Sequence, residues 1–304
     1  MWDPGQYLRY ADERSRPFFD LMGRVRADKP GLVVDLGCGP GQLTTTLAGR
    51  WPAAEIQGID SSAEMIAAAR QLPEPGRSGA GGGRLSFALG DVRDWQPTRP
   101  VDVIVSNAVL QWVPDHLQLL TRWCGMLAGG GSMAFGVPGN FDQPSHAILR
   151  ELAASARWRP LLAGAELNRQ SADPAEYAGL LALAGCEVDA WETTYLHVLH
   201  GDDAVLDWYK GSALRPVLAA LPAEWSGQFL AAYGARLREA YPAAPYGTPF
   251  PFRRVFVVAR RGWRAWCPRA VAQERVRCPR AAAAAPGQIS AAWYRAGTGR
   301  SRPC

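Results

Sequence analysis

The feature that most constrains the fold is a glycine-rich loop directly after a short apolar run. The stretch VVDLGCGPG, residues 33–41, has Asp35 near its start and a glycine at each of positions 37, 39 and 41. A helical pattern follows, in which Leu43, Leu47 and Trp51 are four residues apart. This order predicts a buried strand, a tight turn and a helix. Glycines in the turn allow a ligand to approach the backbone closely.

The same alternation of strand and helix recurs up to Pro138. Strand patterns end near Asp60, Asp91 and Asn107, and one helical pattern ends at the glycines 129–131. Five such alternations predict a mostly parallel sheet with helices on both faces. Another helix is predicted over residues 17–26, with Pro17 in its first turn.

Two further strand patterns, at about 187–199 and 252–261, bring the predicted number of strands to seven. We therefore expect an α/β fold with a doubly wound, mostly parallel, seven-stranded sheet. Helical segments at about 139–175 and 202–245 are inserted around the first of these late strands. We expect them to form a small helical cap over the edge of the sheet where ligands bind.

The positive charge of the chain is concentrated in its last 43 residues. The net charge is +5, but residues 262–304 hold eight arginines and one acid, which leaves the body at 25 basic and 27 acidic residues, or −2. A nearly neutral body does not favour binding to nucleic acid. We predict one domain over residues 1–261 and a poorly ordered tail rich in Arg, Ala and Pro over 262–304. The short SGAGGG stretch at 78–83 is predicted to be a flexible connector.

Cysteine usage and hydropathy give no sign of a metal site or of a membrane protein. The six cysteines form no C-x-x-C pair and the chain has four histidines, so we expect free thiols and no metal. No run of about 18 uncharged apolar residues is present to span a membrane. Charged residues are spread through the first thirty positions, which argues against a signal peptide. We expect a cytoplasmic protein.

The glycine loop matches neither of two common nucleotide motifs. A dinucleotide-binding loop requires a glycine at position 42, where this chain has Gln42, and a P-loop requires Lys and Ser or Thr after the last glycine. Asp35 would also repel a phosphate. A carboxylate there suits a cofactor with a cationic amino group and a sulfonium, and S-adenosylmethionine has both. Asp35 is expected to face the amino group directly or through water.

Three further polar residues end successive strands. Asp60 is placed to accept both ribose hydroxyls, Asp91 to accept from the adenine amino group, and Asn107 ends the fourth strand. Each alone is more often a helix cap or turn residue, but their order favours a cofactor that lies across the sheet edge. The predicted cofactor-binding residues are Asp35, Gly37, Gly39, Gly41, Asp60, Ser61, Met65, Asp91, Val92 and Asn107.

The motifs VDLGCGPG, GIDSSAEMI, GDVRDW and NAVLQWVPDH resemble those of class I S-adenosylmethionine-dependent methyltransferases. A narrower resemblance rests on YLRYADERSRPFFDL, AGCEVDAWETTYLHVL and FRRVFVVARR and covers about residues 1–261. It implies a Rossmann-like fold, S-adenosylmethionine as methyl donor, and a carboxyl O-methyltransferase that acts on a small tricarboxylate, trans-aconitate.

Such a reaction requires cationic side chains rather than a general base. A carboxylate is already ionised at neutral pH, so it can attack the methyl group directly, and we expect no general base. Arginine suits recognition of a polycarboxylate because its fork matches the carboxylate geometry. The candidate substrate-binding residues, taken from the regions of resemblance, are Arg14, Arg16, Gln111, Trp112, Tyr195, His197 and Arg215.

The sequence leaves other functions open. The same fold could act on another small or carrier-bound carboxylic acid. A protein that binds S-adenosylmethionine as a sensor without catalysis is an alternative of another class. An RNA methyltransferase that uses the basic tail is a third, although the strand-four motif SNAVLQW lacks the N-P-P-Y arrangement of enzymes that methylate DNA bases.

Overall fold

Seven strands of the described chain form one sheet. The strands are β1 (Leu32–Leu36), β2 (Glu55–Asp60), β3 (Arg84–Leu89), β4 (Val101–Asn107), β5 (Leu127–Pro138), β6 (Cys186–Leu199) and β7 (Thr248–Arg261). Their order is β3-β2-β1-β4-β5-β7-β6. β1 to β5 pair in parallel, and β7 is antiparallel to both β5 and β6. The predicted seven-stranded, mostly parallel sheet is confirmed.

This computed structural model describes residues 11–72, 84–165, 167 and 171–262. Its helices are α1 (Ala11–Gly23), α2 (Gln42–Arg50), α3 (Ala63–Ala69), α4 (His116–Met126), α5 (Pro144–Ala154), α6 (Arg159–Leu162), α7 (Pro174–Leu183), α8 (Ala204–Lys210), α9 (Arg215–Ala220) and α10 (Ala223–Ala240), with a short 3₁₀ turn at Leu110–Trp112. The predictions for the connector at 78–83 and for the tail after Gly262 lie outside the described residues.

Helices cover both faces of the sheet because alternate residues of each buried strand point in opposite directions. On one face Val33 packs with Phe18 of α1 and Leu47 of α2. On the other face Val34 packs with Trp123 of α4 and Tyr177 of α7, among others. The continuous apolar run in β1 is fully buried for this reason.

The inserted helices have a hydrophobic cluster of their own. Helices α5, α6 and α8 to α10 and their connections bury residues such as Trp158, Tyr209 and Phe229 against Phe250 of β7. We refer to these helices as the cap. The described residues fall within one compact unit, Met1–Pro268, and the second unit, Arg269–Cys304, lies outside them. Within the described part of the chain, none of the helices is both long and apolar enough to cross a membrane.

Two sequence expectations about element ends are wrong. Helix α1 has already begun at Ala11, so Pro17 lies inside the helix and not in its first turn. Proline there removes one N–H from the helical ladder. The other error is at residues 129–131, where strand β5 already runs through the glycines, since α4 ends at Met126. The glycines lie at a register shift in the pairing of β5 with β4, between Leu127 and Ser132, and Gly130 has a φ of +77°, which glycine adopts readily.

Candidate active site

A cavity of about 410 Å³ lies at the edge where strands β1 to β4 end. Loops after these strands supply most of its wall, and the cap supplies Arg215 from the start of α9. The wall consists of Gly37, Gly39, Pro40, Asp60, Ser61, Met65, Asp91, Val92, Arg93, Asn107, Ala108, Val109, Trp112, Val113, Pro114 and Arg215. Eight of the ten predicted cofactor residues therefore come together here.

Two glycines of the loop after β1 have different surroundings. Gly39 has φ +56°, its N–H donates to Asp60 Oδ2 at 2.9 Å, and a Cβ added to it would meet nothing within 4 Å. Gly41 has φ +84°, and a Cβ there would lie 2.8 Å from the Ala69 side chain and 2.9 Å from the Phe87 ring. Gly39 thus presents an open backbone surface to the cavity. Gly41 is absent from the wall and packs beside α3 and β3, and its predicted cofactor contact stays a prediction.

Asp35 lies beneath the loop rather than in the cavity wall. Its side chain is buried, and its Oδ2 accepts a hydrogen bond of 2.6 Å from Thr44 Oγ1 of α2. Burial raises the pKa of Asp35 to about 6, against the lowering effect of the Thr44 hydrogen bond and with a small contribution from Asp60. Asp35 is not among the wall residues that could contact the cofactor directly. A contact between Asp35 and the cofactor's amino group through water stays a prediction.

Asp60 ties the glycine loop to the start of α3. Its Oδ2 accepts from Gly39 N–H and its Oδ1 accepts from Ser62 N–H at 2.8 Å. Ser62 is the N-cap of α3, since its side chain accepts from Met65 N–H. Each carboxylate oxygen of Asp60 keeps a lone pair for a further donor. The position therefore remains compatible with the predicted contact to ribose hydroxyls.

Asp91 is held by a neighbour that the sequence interpretation missed. Arg93 forms two parallel bonds to the Asp91 carboxylate, 2.6 Å from Nη2 to Oδ2 and 3.0 Å from Nε to Oδ1. The Arg93 hydrogen bond lowers the pKa of Asp91. Both side chains line the cavity, next to the buried Val92. The sequence signal that could have indicated this pairing is the arginine two residues after the predicted ligand-binding acid.

Asn107 leaves a buried acceptor at the cavity. Among the described residues its Oδ1 has no hydrogen-bond partner and is buried. The next residue, Ala108, has φ +59°, which is rare for a residue other than glycine and is typical of constrained positions near functional sites. Trp112 and Arg215 complete the wall, and burial lowers the pKa of Arg215.

These features fit S-adenosylmethionine. The wall combines two carboxylates, a buried acceptor and the open backbone at Gly39. The cofactor offers a cationic amino group, a sulfonium, two ribose hydroxyls and an adenine amino group, which need such partners. No group of three or more His, Cys, Asp or Glu side chains is placed to hold a metal ion within the described ranges.

The wall does not include four other substrate candidates, Arg16, Gln111, Tyr195 and His197. Tyr195 and His197 share one face of β6, as their spacing predicts, with rings stacked 6.2 Å apart. Arg16 lies 5.3 Å from the Tyr195 ring. Gln111 instead donates to the Ala108 carbonyl at 2.7 Å. Arg14 belongs to α1, but its side chain is outside the described part of the structure.

Comparison with known proteins decides the family. A family model described as a methyltransferase domain matches residues 33–131. The trans-aconitate 2-methyltransferase of Streptomyces avermitilis is 54% identical over 263 residues, which cover 86% of this chain and 97% of that protein. A protein of the same name from Mycobacterium tuberculosis is 48% identical over 265 residues, with 86% and 97% coverage. The chain belongs to the trans-aconitate 2-methyltransferase family. As a member of this family it is an enzyme of the methyltransferase class, as the sequence predicts.

A solved structure supports the fold of this trans-aconitate 2-methyltransferase family member. A Bacillus halodurans C-125 protein, provisionally assigned as a methyltransferase, superimposes with a TM-score of 0.51. Sequence identity is 13%, and the match covers 81% of this chain and 99% of that one. At this identity the likeness concerns the fold alone.

Proposed function

We propose that this enzyme transfers the methyl group of S-adenosylmethionine to a carboxylate of trans-aconitate. The observation that carries the proposal is one cavity in which Asp60 and Asp91 of the sheet loops face the same space as Arg215 of the cap. Acids on one part of the wall suit the cationic cofactor, and a guanidinium suits an anionic acceptor. The names of relatives at 48–54% identity support the acceptor.

The sheet loops would hold the cofactor. Gly39 offers the backbone surface, Asp60 the acceptors for the ribose, and Asp91 and Asn107 the acceptors further along the wall. When bound, S-adenosylmethionine supplies an electrophilic methyl group on its sulfonium. The donor is thereby confined to the side of the cavity that the sheet builds.

The chain's own residues would act by orienting the acceptor. Arg215 is half-buried, and a partly desolvated guanidinium binds a carboxylate more strongly than an exposed one does. Trp112 and Val113 provide an apolar wall beside it. Because a carboxylate at neutral pH carries no proton to remove, in-line positioning and exclusion of water suffice for the transfer.

The proposal is tested by incubating the purified protein with methyl-labelled S-adenosylmethionine and, separately, trans-aconitate, cis-aconitate, citrate and isocitrate. We expect label in a base-labile ester of trans-aconitate. No labelled acid despite cofactor binding would reject this acceptor. Carrier-bound acids and RNA would then be tried before a sensor is accepted. A cytoplasmic location and the absence of a nucleic-acid partner stay predictions.

A further inference from the structure

A group of basic and aromatic side chains lies on the sheet face that α1 covers. We call Arg16, Tyr195, His197 and Arg254 the arginine cluster. Arg254 of β7 is 5% exposed, and its guanidinium lies 5.0 Å from the Phe252 ring. Arg16 of α1 lies over the Tyr195 ring, and Tyr195 and His197 are buried and stacked. The sequence interpretation did not include Arg254.

A glycine and an aromatic ring connect the cavity to this cluster. Asn107 of β4 pairs with Gly136 of β5, which pairs with Phe256 of β7. A Cβ at Gly136 would lie 3.1 Å from both Asn107 Oδ1 and the Phe256 ring, so all three occupy one face of the sheet. Phe256 in turn contacts the Tyr195 ring at a centroid distance of 6.4 Å. Gly136 and Phe256 thus form a floor between Asn107 and the arginine cluster.

The register places Arg254 beyond that floor. Arg254 pairs with Pro138, two residues further along β5 than Gly136, and it lies on the same face as Phe256. Arg254 is two strands away from Asn107 across the sheet and two residues further along the strand direction. Its Cα is therefore roughly 10 Å from that of Asn107 across the strands and roughly 7 Å along them. An arginine side chain is long enough to cover part of this separation. A molecule with carboxylates several atoms apart could span the remainder.

The charges of the cluster favour an anion. Burial, followed by the charges of Arg254 and Arg16, lowers the pKa of His197 to about 4, so the imidazole is neutral at pH 7. The Tyr195 hydroxyl donates to Asp20 Oδ2 at 2.6 Å, which engages that carboxylate. Two guanidiniums, those of Arg254 and Arg16, therefore lie beside a neutral imidazole and aromatic rings, which is an environment that suits a bound carboxylate.

We infer that Arg254, together with Arg16, binds a carboxylate of the acid substrate that does not receive the methyl group. This inference rests on the proposed function and deepens it. The methyl-accepting carboxylate lies in the cavity that Arg215 lines, and a second carboxylate reaches over the floor to Arg254. An enzyme built this way selects polycarboxylates over monocarboxylates, because only a polycarboxylate reaches both positions.

The test compares Arg254→Gln and Arg254→Lys with the wild type on three acids. These are trans-aconitate, itaconate and glutaconate, the last two each lacking one carboxylate of the trans-aconitate skeleton. We expect Arg254→Gln to raise KM for trans-aconitate by at least about tenfold, since truncating one partner of a buried charge pair is costly. At least one dicarboxylate should be affected much less, because it lacks the carboxylate that Arg254 binds. The Lys variant keeps the charge and should recover part of the loss.

Two controls separate this role from a structural one. Arg24→Gln changes an arginine of the same helix layer that already pairs with Asp189 and stacks on Trp191, and it should leave KM unchanged. S-adenosylhomocysteine should bind every variant as it binds the wild type. If Arg254→Gln does not fold, the exposed Arg16→Gln takes its place with the same expected direction.

Two results would overturn the inference. One is an unchanged KM for trans-aconitate, and the other is an equal loss for all three acids with cofactor binding intact. If the wild type methylates none of the acids, the proposed function fails, and the inference about Arg254 falls with it. A failure confined to the variants leaves the proposed function standing.

Discussion

The contrast between Gly39 and Gly41 gives the sharpest test of where the ligand lies. Both glycines have positive φ, so alanine costs about 1–2 kcal/mol of backbone strain at either, partly offset by the lower entropy of the unfolded chain. At Gly39 the new methyl meets no protein atom within 4 Å. At Gly41 it lies 2.8 Å from the Ala69 side chain, and overpacking adds about 1–3 kcal/mol. We expect net losses of about 1 kcal/mol for Gly39→Ala and about 3 kcal/mol for Gly41→Ala.

Gly41→Ala should lose more stability than Gly39→Ala, but Gly39→Ala should lose more affinity for the cofactor. The methyl of Gly39→Ala enters the cavity, where it displaces any ligand that lies against the backbone. We expect at least about tenfold weaker binding of S-adenosylhomocysteine, equivalent to about 1.4 kcal/mol. Gly41 is absent from the cavity wall, so folded Gly41→Ala should bind nearly as the wild type does. Urea unfolding gives the free energies of unfolding, and titration calorimetry below the unfolding transition gives the affinities.

This reasoning fails if the ranking does not reverse. Wild-type affinity in Gly39→Ala would mean that no ligand approaches the open backbone there. Equal destabilisation of both variants would mean that the space beside Gly39 is filled by protein. Either result would move the cofactor away from the loop after β1.

Three further substitutions address individual groups. In Asp35→Asn, stability should rise relative to the wild type at pH 7.5 by up to about 3 kcal/mol, because the folded pKa of about 6 lies above the unfolded value near 3.9. The wild type should lose this stability as pH rises from about 4 to 6, and denaturant titration at pH 4 and 7.5 checks the sign. Arg93→Gln should free the Asp91 carboxylate and tighten S-adenosylhomocysteine about two- to fivefold, whereas Asp91→Asn should weaken it in the same calorimetric assay. Arg215→Gln should raise KM for the acid at least about tenfold without changing cofactor affinity, and Arg215→Lys should lose less in steady-state kinetics.

The sequence was informative where chain direction alone brings residues together. Asp60, Asp91 and Asn107 follow successive parallel strands, and the carboxyl ends of such strands meet at one edge. Their arrival in one cavity wall could therefore be predicted without knowing any side-chain contact. Trp112 and Arg215 were expected at the site from the family resemblance instead, and both line the cavity.

Residues whose position depends on packing between elements could not be predicted in this way. Gly41 seemed equivalent to Gly39 by spacing, but the Phe87 ring of β3 reaches it across β2. Arg254 lies within an apolar strand pattern. Its neighbours Arg16 and His197 come from the start of the domain and from β6, which no local pattern relates. The pairing of Asp91 with Arg93 is local, yet it depends on side-chain conformations that sequence spacing leaves open.

The two substrates of the proposed reaction would be held by different parts of the molecule. Loops after β1 to β4 supply the wall residues that suit the cofactor, and these loops are fixed by the parallel sheet. The acid would contact Arg215 and Arg254. The helix of Arg215 packs in the hydrophobic cluster of the cap, and Arg254 of β7 pairs with Pro138, the last residue of β5. Changes at Arg215 or Arg254 can therefore alter which acid is methylated without altering the cofactor site. The methyl-donor site can therefore stay the same while the acceptor site, which is built from the inserted helices and the late strands, changes.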